Sequence, residues 1–442
     1  MKITIIGHGY VGLVTACVFA DFGNTVRVIG RTPEKIKKLN GGDPLIFEPG
    51  LQEILLRNLE NGNLKFTQSY DSVGESKIVF IAVGTPSLED GSADLSQVKG
   101  VASKIAKNLG SDFTVVSCKS TVPVGTNLEV EAIVRENAPE GAKFAVVSCP
   151  EFLREGTGVS DTLYPDRVII GSESQEATDL LLELHAPVGG KRVVTDLASA
   201  ELIKYAANSI LATKISFANL IAQYCEKTGA NAEVVLEAVG FDNRVSEKFL
   251  NVGIGYGGAC FPKDVKALAY IGKNLGLDTG LLDGVEEVNF NAKSRFVEKV
   301  LRIFESGGDG GASATKKKRL AIWGLSFKPN TDDIREAPSR YILERLLSEG
   351  FGLSVYDPEA MGHIKAIFGD KLRYADDKMK ALDGAEGLLI LTEWNEFEGV
   401  DLETVKKALS KPIVVDGRNI FEPRKMKKLG FKYYSVGRRD VK

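Results

Sequence analysis

The opening of the chain limits its possible folds more than any other stretch. An apolar run, KITII, passes directly into Gly7-His8-Gly9-Tyr10-Val11-Gly12, and a helical pattern over Val11–Phe22 follows. This is G-x-G-x-x-G in a strand–turn–helix setting. The first glycine makes a tight turn, the second admits a pyrophosphate close to the backbone, and the third lets helix and strand pack closely. A phosphate then meets the helix N-terminus. A dinucleotide is therefore expected at Gly7, Gly9, Tyr10, Val11 and Gly12. Folds that bind NAD usually place Asp or Glu at the end of the second strand, where it holds the ribose 2′-hydroxyl. In TVRVIGRTPEKI that place is taken by Gly30, followed by Arg31. An acid would repel a 2′-phosphate, whereas Arg31 can pair with one and Lys35 can assist. The expectation is a site for NAD or NADP; the plainer alternative is a solvated Arg31 and NAD alone.

A chain of 442 residues exceeds one ordinary core, so several domains are expected. Apolar runs at Ile3–Ile6, Thr25–Ile29, Ile78–Val83, Thr114–Ser117, Phe144–Val147 and Arg167–Ile170 alternate with helical stretches such as Val98–Asn108. Continuous β-branched runs suit strands buried on both faces of a parallel sheet, and strand–helix alternation predicts a doubly wound α/β domain. From about Ala198 to Phe304 the pattern turns helical, beginning with some thirty residues free of proline. A helix of that length connects domains or pairs with a copy of itself. A glycine- and serine-rich linker follows, and RLAIWG, LSVYD, GLLILT and PIVVDGRN then predict a second, smaller α/β domain. The boundaries expected are 1–197, 198–304, a linker at 305–318, and 319–442.

A net charge of −3 gives no reason to expect nucleic acid or an anionic membrane as partner. No apolar run approaches a membrane span, and MKITIIGHGYVG does not read as a signal peptide. Five scattered cysteines without CxxC spacing fit a reducing cytoplasm. With only three histidines, widely separated, no metal site is expected.

Three clusters suggest chemistry. In GYGGACFPKD (255–264), Cys260 stands just before a helix that Pro262 favours in its first turn. The helix dipole and Lys263 both favour a thiolate there, and Asp264 lies one turn on. Most cysteines are small buried hydrophobes, and the other four read that way. Lys204 and Asn208 lie four apart on the long helix, so they share a face and can donate to a developing oxyanion; exposed pairs of this kind are usually just solvated. Glu151 and Glu155 in CPEFLREG follow a predicted strand, where α/β enzymes place ligands.

Taken with KSTVPVGT, PDRVIIG, AELIKYAANSILATKISFANLIA, GLSFKPNTDDIREAPS and VVDGRN, these segments resemble the UDP-glucose/GDP-mannose dehydrogenase family over nearly the whole chain. Ala259 before the cysteine and Phe261 after it are similar to the UDP-glucose 6-dehydrogenase branch. Related UDP-N-acetylhexosamine enzymes tend to have histidine before the cysteine, and the GDP-mannose enzymes often have leucine after it. The resemblance implies two Rossmann-like domains joined by a long central helix and its all-α dimerisation region. It also implies a four-electron oxidation of UDP-glucose to UDP-glucuronate through a thiohemiacetal and a thioester on Cys260.

By the same resemblance, Lys204 and Asn208 would stabilise the oxyanion, and Thr121, Glu151 and Asp264 would position or activate water. Substrate contacts are implied for Glu151, Phe152, Leu153, Arg154 and Glu155, for Phe249, Leu250, Asn251, Val252 and Gly253, and for Gly257. Lys328 and Arg418 would hold the UDP portion. Thr85, Thr121, Glu155, Lys263 and Arg335 are implied at the cofactor, with Gly30, Arg31 and Lys35 at its adenosine end. Arg244 would reach the substrate of the other subunit of a homodimer. Two departures stand out: Gly30-Arg31 replaces the family's usual acid, and RVSEKF replaces the commoner arginine-isoleucine-glycine. WGLSFKP lacks G-x-G-x-x-G, so no dinucleotide is expected in the C-terminal domain. The alternatives are a two-electron dehydrogenase of a hydroxy acid or sugar phosphate, which needs no nucleophilic cysteine, and a non-catalytic dinucleotide sensor.

Overall fold

The structure is a computed structural model that describes residues 1–305 and 318–442; the expected linker lies outside them except for its two end residues. The chain forms two compact units, Met1–Ala207 with Ala267–Gly276, and Asn208–Lys266 with Leu277–Lys442.

The first unit is built on β1 (Lys2–Ile6), β2 (Thr25–Ile29), β3 (Leu64–Thr67), β4 (Ile78–Ile81), β5 (Thr114–Cys118), β6 (Phe144–Ser148), β7 (Arg167–Gly171) and β8 (Lys191–Thr195). Their order in the sheet is β3-β2-β1-β4-β5-β6-β7-β8. Neighbours run parallel except β6 and β7, which meet antiparallel at Ser148 and Gly171. The period of two explains how one sheet serves two cores. Ile3, Ile5, Val26, Val28 and Phe80 pack with Leu13, Val14 and Cys17 of the helix Tyr10–Asp21. The alternate residues Ile6, Val79, Ile81 and Val116 pack with Val98, Ala102 and Ile105 of the helix Ser96–Lys107.

Two of these strands are not marked by the apolar runs read from the sequence. β3 is short and alternates buried with exposed residues. β8 is an edge strand with Val193 and Val194 exposed.

The second unit carries β9 (Arg319–Trp323), β10 (Gly352–Tyr356), β11 (Arg373–Tyr374), β12 (Gly387–Ile390), β13 (Ile413–Asp416) and β14 (Lys432–Tyr434), in the order β11-β10-β9-β12-β13-β14. All pair parallel. The four strands expected from the sequence are present, and β11 and β14 add two and three residues. The turn after β9 closes on its own sheet: Leu325 N and Ser326 N donate to Asp357 Oδ2 at 2.6 and 3.1 Å. The acid after the second strand is thus occupied by protein donors.

The long helix expected from Ala198 runs from Leu197 to Thr228. In the second unit its buried side, with Ala218, Ala222 and Cys225, packs on Leu236, Leu250 and Val252. Ile210, Phe217, Leu220 and Tyr224 are exposed. No helix of the described residues is long and apolar enough to cross a membrane.

His185 ends the helix Gln175–Leu184, buried edge-on against Phe19 at 5.4 Å, with Nδ1 2.8 Å from Leu181 O. Burial, and then the positive charge of Lys119, lowers its pKa to about 3. From pH 6.5 down to 3 the unfolded chain binds a proton that the folded state refuses. Stability is therefore lost as pH falls, by up to ~1.4 kcal/mol per pH unit from this residue. His185→Gln is expected to flatten the fall of the urea midpoint between pH 6.5 and 4; an unchanged slope would assign the effect elsewhere.

Candidate active site

In the first unit, Gly7 holds φ +113°, and a Cβ there would lie 2.2 Å from Ala82 O. A Cβ at Gly12 would lie 2.1 Å from Gly7 O, so the turn and the helix contact can be made only by glycine. A Cβ at Gly9 would meet nothing within 4 Å. The helix Tyr10–Asp21 begins at Gly9 without a side-chain cap, which leaves Val11 and its neighbours in an anion-binding first turn. These residues fit a pyrophosphate. The Tyr10 hydroxyl accepts from Gly156 N at 2.8 Å and so ties the glycine turn to the loop after β6.

Thr85 Oγ1 donates to Thr121 O at 2.9 Å, joining the loops after β4 and β5. Gly30 is buried, while Arg31 and Lys35 are exposed. Arg31 O accepts from Gln68 Nε2 at 2.9 Å, and its guanidinium reaches Gln97 Oε1 at 3.4 Å.

After β6, Glu151 is buried and accepts from Leu153 N at 2.7 Å and from Lys204 Nζ at 3.1 Å. Removing one partner of so buried a pair costs about 3–5 kcal/mol, because the other charge is left without compensation. The Phe152 ring lies 5.1 Å from Lys204 Nζ and 3.9 Å from the Arg167 guanidinium. Arg154 is paired at two points with Asp161, at 2.6 and 3.0 Å. Glu155 is half-buried in the same loop.

Two carboxylates that the sequence reading passed over set this geometry. Buried Glu48 accepts from Gly156 N at 2.7 Å and Val159 N at 3.3 Å. Buried Glu201 accepts from Gly125 N at 2.7 Å and Asn127 N at 2.8 Å, fastening the segment that follows Thr121 to the long helix. Burial raises the Glu201 pKa. Neither has a local signal, since the Glu48 donors lie 108 and 111 residues away in sequence.

In the second unit, Cys260 immediately precedes the helix Phe261–Asn274. Burial pushes the thiols of Cys17 and Cys118 up to about 12 and raises that of Cys149, and Cys225 is also buried. Cys260 alone of the five is half-exposed. Asp264 is completely buried; its Oδ2 accepts from Asn208 Nδ2 at 2.5 Å, and its Oδ1 contacts Lys263 Nζ. Lys204 and Asn208, one turn apart on one helix, each face a buried carboxylate.

The glycines before Cys260 serve packing. A Cβ at Gly257 would lie 2.4 Å from Glu336 O, and at Gly258, with φ +84°, 2.8 Å from the Phe327 ring. Gly258 N donates to Arg335 O at 2.8 Å. Arg335 itself is paired with Asp333 at 2.8 Å, and Lys328 Nζ lies 5.4 Å from the Phe327 ring. Arg418 donates to Leu391 O at 2.8 Å and Gly255 O at 3.3 Å, and reaches Glu393 at 3.3 Å.

In the stretch Phe249–Gly253, Phe249 holds φ +66° and its ring lies 6.2 Å from that of Phe261. Leu250 and Val252 are core residues, and Asn251 is exposed. Gly253 N donates to Asn219 Oδ1 at 2.8 Å. Arg244 is exposed and paired with Asp242 at 2.5 Å. Among the described residues, no group of three or more His, Cys, Asp or Glu could hold a metal ion.

Residues 1–189 match the NAD binding domain of the UDP-glucose/GDP-mannose dehydrogenase family, 198–291 its central domain and 321–423 its UDP binding domain. The chain is 42% identical over 442 residues to a UDP-glucose 6-dehydrogenase of Bacillus subtilis, covering 100% of this chain and 98% of that protein. To a UDP-glucose 6-dehydrogenase of Rhizobium meliloti it is 44% identical over 447 residues, covering both chains fully at 100%. A solved UDP-glucose dehydrogenase from the hyperthermophilic archaeon Pyrobaculum islandicum matches with a TM-score of 0.90 and 37% identity, covering 99% of this chain and 98% of that one. The three matched domains, in order, together with these full-length identities, place this chain in the UDP-glucose/GDP-mannose dehydrogenase family.

Proposed function

We propose that this protein oxidises UDP-glucose to UDP-glucuronate in two successive hydride transfers, with NAD as acceptor and NADP also accepted. The observation that carries this reading is Cys260: a half-exposed thiol at a helix start, beside a buried Asn208–Asp264 pair, in a chain with a dinucleotide turn. A dehydrogenase that stops at the aldehyde needs no such nucleophile.

A bound nicotinamide would supply the hydride acceptor for C6, and the C6 hydroxyl proton passes to water as the aldehyde forms. The Cys260 thiolate adds to the resulting aldehyde, and the alkoxide formed is stabilised by Lys204 and Asn208 before it takes a proton as thiohemiacetal. Loss of the second hydride and of the hydroxyl proton leaves a thioester. Water adds to its carbonyl, the C–S bond breaks, and carboxylate and thiol are released. Thr121, Glu151 and Asp264 orient that water, and a carboxylate of Glu151 or Asp264 receives its proton; both carboxylates are buried and held in place, Glu151 by Lys204 and Asp264 by Asn208.

Residues 1–197 hold the dinucleotide through Gly7, Gly9, Val11, Gly12, Thr85 and Thr121, joined by Glu155, Lys263 and Arg335. Residues 319–442 hold UDP through Lys328 and Arg418. Phe152, Leu153, Arg154, Phe249–Gly253 and Gly257 complete the sugar site, with Leu250 and Val252 acting through backbone because their side chains are core. Residues 198–304 mediate a homodimer, in which Arg244 reaches the partner's substrate. Ile210, Phe217 and Tyr224, spaced by seven on the central helix and exposed, support that interface. The reaction is cytoplasmic in this reading, where reduced thiols persist.

Cys260→Ala is expected to lower UDP-glucuronate formation by at least ~10³-fold. The wild-type protein should reduce two cofactor molecules per uronate; one per substrate consumed would sink the thioester route. Arg31→Ala should raise the KM for NADP by about tenfold or more and leave that for NAD within about twofold, as removal of a charge-assisted phosphate contact requires; equal effects would make Arg31 a bystander. Phe217→Glu should shift the protein to monomer in sedimentation, and an unchanged mass would move the interface elsewhere.

A further inference from the structure

The place of the missing ribose-binding acid is not empty. A Cβ built on Gly30 would lie 2.4 Å from Cδ2 and 2.9 Å from Nε2 of His8, and 2.7 Å from Cδ1 of Ile36. The variable residue of the glycine turn thus projects its ring across the end of β2 and fills the volume from which an acid would rise. Arg31, next in sequence, and Lys35, one turn further, are both exposed beside it. We propose that His8 is the specificity-determining residue of the adenosine subsite: its ring excludes an acid at position 30, and its imidazolium, with Arg31 and Lys35, receives the 2′-phosphate of NADP. This rests on the 2′-phosphate reading of Arg31 given above and adds to it a proton.

The half-buried ring makes that proton responsive. Burial pulls the His8 pKa below the ordinary histidine value; the charges of Lys35 and Arg31 add to this, against a backbone hydrogen bond that acts the other way. These are the charged groups that act on the ring. Tyr70, which also feels Arg31, is raised by burial and stays neutral. A dianionic 2′-phosphate beside the ring would reverse the repulsion and draw a proton on to it. Preference for a 2′-phosphate should then weaken as pH rises above the free-state pKa of His8. The phosphate's own second ionisation, near pH ~6, strengthens binding as pH rises, so the two effects have opposite signs and can be told apart.

The test uses the intact protein with adenosine 2′,5′-bisphosphate and 5′-AMP as probes. Three histidines are present, and the His8 signal is assigned in the NMR titration by its loss in His8→Gln. The bisphosphate should raise the His8 midpoint by about one pH unit and 5′-AMP should not. Calorimetry should show the preference for bisphosphate over 5′-AMP falling about fivefold from pH 6 to 8 in the wild type. It should not fall in His8→Gln, and in His8→Lys it should stay high at both pH values. An unmoved His8 midpoint, or the same pH dependence in His8→Gln with an unchanged melting temperature, overturns the role of His8 while a persistent preference leaves the Arg31 reading standing. No preference for the bisphosphate at either pH overturns both.

Discussion

Parallel strands buried on both faces leave a protein one place to do chemistry, the carboxyl ends where the chain leaves the sheet. Both units obey this constraint. In the first, the glycine turn follows β1, Gly30 follows β2, Thr85 follows β4, Thr121 follows β5 and Glu151 follows β6. In the second, Lys328 follows β9, Asp357 follows β10 and Arg418 follows β13. The order of the six shared strands is the same in the two sheets, yet their first turns differ. At β1 a glycine helix start is left uncapped for an anion; at β9 the equivalent N–H groups are satisfied by Asp357. The same scaffold thus has an anion-ready turn in one unit and a self-satisfied turn in the other.

The loops at these ends are held by buried carboxylates. Glu48, Glu151 and Glu201 each accept from backbone amides, side-chain amides or a lysine. Each hydrogen bond to a charged group contributes roughly 1.5–3 kcal/mol, and an unsatisfied buried carboxylate costs more than that. The loops are therefore held at these points by hydrogen bonds to buried charge. In the first unit Lys204 is ordered by its pairing with Glu151, and in the second Asn208 by its hydrogen bond to Asp264.

Much of this was legible in the sequence because it is periodic or local. Buried strands are continuous apolar runs, the glycine turn is a six-residue pattern, and a cysteine before Phe-Pro-Lys-Asp marks a helix start. β3, with its brief alternation, and β8, at an exposed edge, lack that signal. A run of glycines in GYGGACF does not say what lies against it; at Gly257 and Gly258 the space a Cβ would take is filled by Glu336 and Phe327. Leu250 and Val252 likewise prove to be core.

By itself, then, the sequence determined two doubly wound sheets, a long helix between them in chain order, a dinucleotide turn and one thiol set apart from four others, since each follows from spacing along the chain. Tertiary structure alone decided which carboxylate holds which loop, that Asp264 lies against Asn208, and that the ring of His8 occupies the volume above Gly30. These depend on residues brought together across 22 to 111 positions, and side-chain volume and hydrogen-bond direction at such contacts are properties of the packed chain that no local pattern carries.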